Sequence, residues 1–214
     1  MVTHARDERA ALCDLLSQLG PAQPTLCAGW QTADLAAHLV LRERRPDAGA
    51  GVMGGPLAGY TRRVQDRLLA RTPFAQLVEM IRNGPPRTSM FALPGVDERA
   101  NMVEFFVHHE DVRRAQPAWQ PRDIGTELAD DLWRRLRLAR LMLRGAPVGV
   151  ELVRTDAAKR PGRVRITVRA RTPVVTVTGD PAELTLWTMG RTSAADVRLD
   201  GGDAHVEALR RWRH

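Results

Sequence analysis

Near Gly145-Ala146-Pro147 the apolar residues of this chain change period, and that change limits the folds open to it. Upstream they recur at three- and four-residue spacing, as in helices that bury one stripe. In ARDERAALCDLLSQL (5–19), Ala11, Leu12, Leu15, Leu16 and Leu19 share such a stripe, and Gly20-Pro21 ends it. Downstream, VRITVRAR (164–171) alternates strictly, with Val164, Ile166, Val168 and Ala170 on one face and Arg165, Thr167, Arg169 and Arg171 on the other. That is a half-buried strand. VGVELV (148–153) and VVTVT (174–178) flank it as further strands. The expected fold is α+β overall: a helical domain over 1–145, then a small α+β domain over 146–214.

Punctuation refines this. Thr32 is the expected N-cap of a second helix, with Asp34 in its first turn and Leu35, His38, Leu39 and Arg42 on one stripe. Residues 46–56 are Gly-rich but lack the GK[ST] ending of a phosphate loop, so they read as a flexible connection. Thr72-Pro73 divides 57–83 into two helices, because proline starts a helix more readily than it continues one. A longer helix is expected over 97–114, and another over 123–143 closing the first domain. After the strands, Asp180 and Pro181 read as cap and first turn of a helix that stops at Gly190. A short strand in 195–202 and a helix over 203–212 complete the chain.

Charge excludes less than it first suggests. The net charge is +7, which invites a nucleic-acid partner. Yet Lys159 is the only lysine, the arginines are interleaved with acids, and aromatic residues are 5%. No basic block with stacking aromatics emerges, so no nucleic-acid partner is expected. No apolar run approaches the ~18 residues of a membrane span. The segment MVTHARDERAA lacks the apolar stretch of a signal peptide. Cys13 and Cys27 make no CxxC and fit a reducing cytoplasm.

Chemistry concentrates in three residues. Glu104 and His108 are four apart on the long helix and project from one face. His38 lies on the inner stripe of the second helix. Two imidazoles and a carboxylate form the donor set of zinc sites that keep a position open, and they also suit nickel or non-haem iron. Asp111, one turn beyond His108, is placed to steady a ligating imidazole. A plainer account stands beside this one: Glu-x-x-x-His is common as a surface ion pair, and a single inner-stripe histidine is usually a core residue. Glu104, however, sits among Met102, Val103, Phe105, Phe106 and Val107, where a carboxylate is costly to bury without a partner.

WQTADLAAH (30–38) resembles the W-x-x-x-D-L-x-x-H entry of the DinB-like helical bundles. EFFVHHEDV (104–112) resembles the E-x-x-x-H-x-x-D-[LV] segment of the mycothiol-dependent maleylpyruvate isomerase branch. GDPAELTLWTMGR and DVRLDGGDAHVEAL resemble that branch's sterol-carrier-like second domain, so the likeness covers nearly the whole chain. It implies an N-terminal antiparallel DinB-like bundle followed by the sterol-carrier-like α+β unit. It implies a divalent metal, zinc first, on His38, Glu104 and His108. It also implies mycothiol as a thiol co-substrate and an electrophilic small-molecule substrate, in an isomerase or S-transferase. Two alternatives remain: a non-catalytic metal- or ligand-binding protein, and a carrier of apolar ligands through the C-terminal domain.

Among the remaining candidates, Arg191 follows the Gly190 stop, where it could point into an interdomain cleft and bind an anionic cofactor or substrate; a solvated arginine is the plainer account. Cys13 reads as packing rather than as a nucleophile. His109 should face solvent or a neighbouring helix, and Trp187 and Trp212 should be core.

Overall fold

The computed structural model describes residues 4–45, 58–86, 96–156 and 164–213. The expected Gly-rich connection at 46–56 lies outside the described residues. The chain is α+β and divides into two compact units, Met1–Gln120 and Pro121–His214.

The first unit is helical: α1 (His4–Leu19), α2 (Thr32–Arg44), α3 (Ala58–Arg71), α4 (Phe74–Arg82) and α5 (Val96–Arg113). α1 lies along α5 and against α4, and α2 packs on α4 and α3. Leu12 and Leu16 of α1, Leu35 and Leu39 of α2, Leu77 and Ile81 of α4, and Phe105 of α5 share one core. α1 ends as its sequence predicts: Gly20 takes φ +78° and its N–H returns to the Leu16 carbonyl at 3.0 Å. α2 starts differently. Gln31 is its N-cap, and the Asp34 carboxylate accepts the Gln31 N–H at 2.9 Å. Thr32 is the first helical residue; its hydroxyl donates back to the Gly20 carbonyl at 2.5 Å. The threonine thus tethers the loop rather than capping the helix.

The second unit opens with α6 (Gly125–Arg135), a 3₁₀ turn (Leu136–Leu138) and α7 (Ala139–Met142), where one helix over 123–143 is expected from the pattern. β1 (Gly149–Arg154), β2 (Arg165–Arg169), β3 (Val174–Gly179), α8 (Pro181–Thr188), β4 (Arg198–Asp200) and α9 (Asp203–Arg213) follow. The strands form one mixed sheet in the order β2-β1-β3-β4, with β1 and β3 parallel and both outer pairings antiparallel. In this register Leu152 lies between Ile166 and Val177, so alternate residues build one apolar face. That face shares its core with Trp133, Leu136, Leu143, Leu184 and Leu209.

Trp133, Leu136, Ala139 and Leu143 therefore serve the sheet. The division falls between Gln120 and Pro121, ahead of the period change, and not after residue 145. Gly149 is needed at the start of β1: a Cβ there would lie 1.9 Å from the Arg171 carbonyl oxygen, and its N–H donates to the Pro173 carbonyl at 2.8 Å. Asp180 is the N-cap of α8 with Pro181 in the first turn, as expected, and its carboxylate accepts the Thr155 hydroxyl instead of a helix N–H. Among the described residues, no helix is long and apolar enough to cross a membrane.

Candidate metal centre

His38 on α2 meets Glu104 and His108 on α5 inside the first unit. His38 Nε2 lies 3.4 Å and His108 Nε2 3.3 Å from the same atom, Glu104 Oε1. All three donor atoms fall within 4.8 Å of one another, and the two imidazoles meet edge to face at 5.2 Å. These separations are informative. Charge-assisted hydrogen bonds run at ~2.7–2.9 Å. Two donors ~2.0–2.1 Å from a tetrahedral zinc ion stand roughly 3.3 Å apart. The contacts are long for charge-assisted hydrogen bonds and match the spacing between ligands of one ion, and the donor chemistry fits a divalent cation. The His38 and His108 side chains are 4% and 9% exposed and that of Glu104 is 20% exposed, so the approach to the triad runs past the carboxylate.

The rear of the site is closed. His108 Nδ1 donates to Asp111 Oδ2 at 2.9 Å, and Asp111 is fully buried. This bond fixes the ring and turns Nε2 towards Glu104 and His38. The Cys27 thiol donates to the same carboxylate oxygen at 3.2 Å. Cys27 is held there by its loop, since the Leu26 N–H donates at 3.0 Å to the Asp111 carbonyl, one of the last carbonyls of α5. Trp30 lies 5.1 Å from the His38 ring.

Cys27, Asp111 and His108 Nδ1 form a second group whose donor atoms also lie within 4.8 Å of one another. It shares His108 with the first group through the opposite ring nitrogen. At 2.9 and 3.2 Å, however, its contacts to Asp111 are hydrogen bonds already made. An ion there would have to break the bond that orients His108. The first group is therefore the better metal centre.

The local electrostatics agree. Burial pushes the His38 imidazole down, more than its bond to Glu104 raises it, so His38 is neutral and able to ligate. Burial would raise Glu104, but bonds from His108 and His38 and the Arg42 charge outweigh it and hold the carboxyl well below its usual range. Burial would lower His108, but bonds to Asp111, Cys27 and Glu104 outweigh it and hold the ring well above its usual value. The carboxylate is thus held in the charged form that a cation would need. Arg42, on the predicted stripe of α2, places Nε 3.4 Å from Glu104 Oε1.

The other sequence candidates are not among the donors of this group. His109 points to α1 and not to solvent, with Nδ1 3.0 Å from Glu8 Oε2 in a buried pair. Cys13 is packed, its thiol 3.7 Å from the Val78 carbonyl and pushed by burial up to about 11. Arg191 belongs to the second unit, and its guanidinium donates to the Met189 carbonyl at 2.7 Å. Trp187 is core as expected, whereas Trp212 is 36% exposed and lies over Gly145. Cys27 is the residue that sequence reasoning missed; it stands in an irregular loop, and no spacing ties it to α5.

No family model, curated protein or solved structure matches this chain.

Asp111→Asn tests the rear bond. Replacing the group that orients a ligating histidine costs roughly 10–100-fold in metal affinity. Competitive zinc titration should show that loss with the far-ultraviolet circular dichroism unchanged. Wild-type affinity would detach Asp111 from the centre.

Proposed function

We propose that this chain is a divalent-metal, thiol-dependent isomerase or S-transferase of the mycothiol-dependent maleylpyruvate isomerase type. In this reading the first unit is a DinB-like bundle and the second a sterol-carrier-like domain. The observation that carries it is the ligand-to-ligand spacing of His38 Nε2, His108 Nε2 and Glu104 Oε1. These three residues would hold the metal, zinc first, with nickel or iron as alternatives. When bound, such an ion lowers the pKa of a thiol at its open position and keeps a thiolate nucleophile at neutral pH. Asp111 holds the His108 tautomer, and buried His38 stays neutral. Arg42, beside Glu104, supplies a positive charge at the approach and would steer an anionic thiol or substrate. The two free cysteines fit the proposed cytoplasmic setting.

A second reading rests on Arg42. With its Nε and two imidazoles around one oxygen, Glu104 is also satisfied as a plain ion-pair cluster. Elemental analysis of protein purified without chelator or metal-affinity resin separates the two. About one equivalent of divalent metal per chain is expected. Protein that carries no metal and takes up neither zinc nor nickel on titration is the ion-pair cluster. Metal-dependent consumption of mycothiol with an electrophile then distinguishes an enzyme from a metal-binding protein without a reaction.

A further inference from the structure

Behind the His38, Glu104 and His108 centre, a sulfur, a nitrogen and an oxygen surround one point. Cys27 Sγ lies 4.0 Å from His108 Nδ1 and 3.2 Å from Asp111 Oδ2, and Nδ1 lies 2.9 Å from the same oxygen. A triangle with these sides has its centre roughly 2 Å from each corner, close to the ~2.0–2.3 Å bonds that nitrogen, oxygen and sulfur make to a d¹⁰ ion. The three donors need little movement to hold one.

The loop corner of this triangle is fixed as firmly as the two on α5. The Cys27 N–H donates to Thr25 Oγ1 at 3.1 Å, and the Thr25 hydroxyl donates to the Trp30 carbonyl at 2.9 Å. The Leu26 N–H ties the same loop to α5. His108 and Asp111 are buried, whereas Cys27 is half-buried and is the side open to an ion.

The donors decide which ion fits. For zinc the front set of two imidazoles and a carboxylate suffices, and it leaves the bond from His108 to Asp111 intact. A soft cation is selected by thiolate sulfur, which the front set lacks. Its binding at the rear releases two protons, those of the Cys27 thiol and of His108 Nδ1, which in its absence bond to Asp111 Oδ2. A neutral imidazole offers one lone pair, so His108 serves a front ion through Nε2 or a rear ion through Nδ1, and not both.

We propose that Cys27, His108 Nδ1 and Asp111 form a second metal site, for a soft cation such as copper(I), that excludes the ion of the front centre. The exclusion rests on the proposed front centre; the rear site itself does not.

Copper(I) is the probe. Added anaerobically to the metal-free full chain, with ascorbate to keep it reduced and bicinchoninate as competitor, it should bind at one equivalent. Cys27→Ser should weaken binding at least a hundredfold, and His108→Ala and Asp111→Asn at least tenfold each, with far-ultraviolet circular dichroism to confirm folding. Cys27→Ala covers the case in which Cys27→Ser does not fold. His38→Ala, which removes a donor of the front centre alone, should leave the copper affinity within twofold. In the zinc-loaded chain each copper should release one zinc, read with a zinc-sensitive dye. A chain that takes up no zinc would remove the front centre, and the metal-free measurements would still decide the rear site. Unchanged affinity in Cys27→Ser or in His108→Ala, loss in His38→Ala, or copper and zinc held together on one chain would each overturn the proposal.

Discussion

His108→Ala should remove stoichiometric metal binding, and His109→Ala should leave it intact while lowering the melting temperature. The two residues are adjacent, yet a regular helix turns ~100° per residue. His108, four after Glu104, sits ~40° around from it; His109, five after, sits ~140° around. The packing of α5 follows this division. His108 Nε2 meets Glu104 at 3.3 Å, and His109 meets Glu8 of α1 at 3.0 Å. Removing His108 takes one of three protein ligands and leaves a carboxylate and one imidazole, too few for a tight zinc site. Removing His109 leaves Glu8, 4% exposed, without that partner, which costs stability and not metal. Zinc titration of both variants, with circular dichroism and melting curves, reads the two effects separately. Loss of metal in His109→Ala with retention in His108→Ala would reject the centre.

The divergence of these neighbours was legible because helical period fixes which residues share a face, and period survives in the sequence without any tertiary knowledge. For the same reason Glu104 stood out: an acid on an apolar turn demands a partner. His38 could be placed on an inner stripe, but its meeting with α5 is a tertiary fact, and the resemblance rather than the spacing joined the two helices. Cys27 was not legible at all. Its position beside Asp111 depends on a loop held by one backbone bond from Leu26 to α5.

The α+β class and the strands were likewise legible, since strict alternation at 164–171 allows few other outcomes. The division between the units was not. The helical pattern of 123–143 shows that a stripe must be buried but does not name the surface that buries it, and Trp133 and Leu143 could have faced helices as readily as strands. Capping residues were legible in part. Asp180 takes the N-cap position of α8 as its sequence indicates, though its carboxylate accepts the Thr155 hydroxyl, whereas Thr32 lies inside α2 and spends its hydroxyl on Gly20.

Glu43→Ala should be among the most destabilising substitutions in the first unit, although Glu43 lies outside the triad. Its carboxylate takes Arg9 Nη1 at 2.9 Å and Nη2 at 2.7 Å, with 2% and 6% of the two side chains exposed. The Asn101 amide donates to it as well, at 3.4 Å. Arg9 is committed to this position, since Nη1 also donates to the Ile81 carbonyl at 2.9 Å and the guanidinium stacks 4.2 Å from the Phe105 ring. It cannot swing into water without giving up those contacts. Alanine at 43 therefore withdraws the negative charge and leaves the buried positive one, a loss worth about 3–5 kcal/mol. For a unit of this size that lowers the melting temperature on the order of 10–20 °C. Arg82 and Asp14 make the control, an ion pair of 2.8 Å whose side chains are 35% and 71% exposed. Asp14→Ala should cost less than ~1 kcal/mol, because water replaces the lost partner. The double change Arg9→Met with Glu43→Leu should recover most of the stability, since it removes both buried charges and leaves neither orphaned. Denaturant unfolding of the three variants gives the comparison. If Glu43→Ala and Asp14→Ala cost the same, burial is not what sets the strength of these pairs.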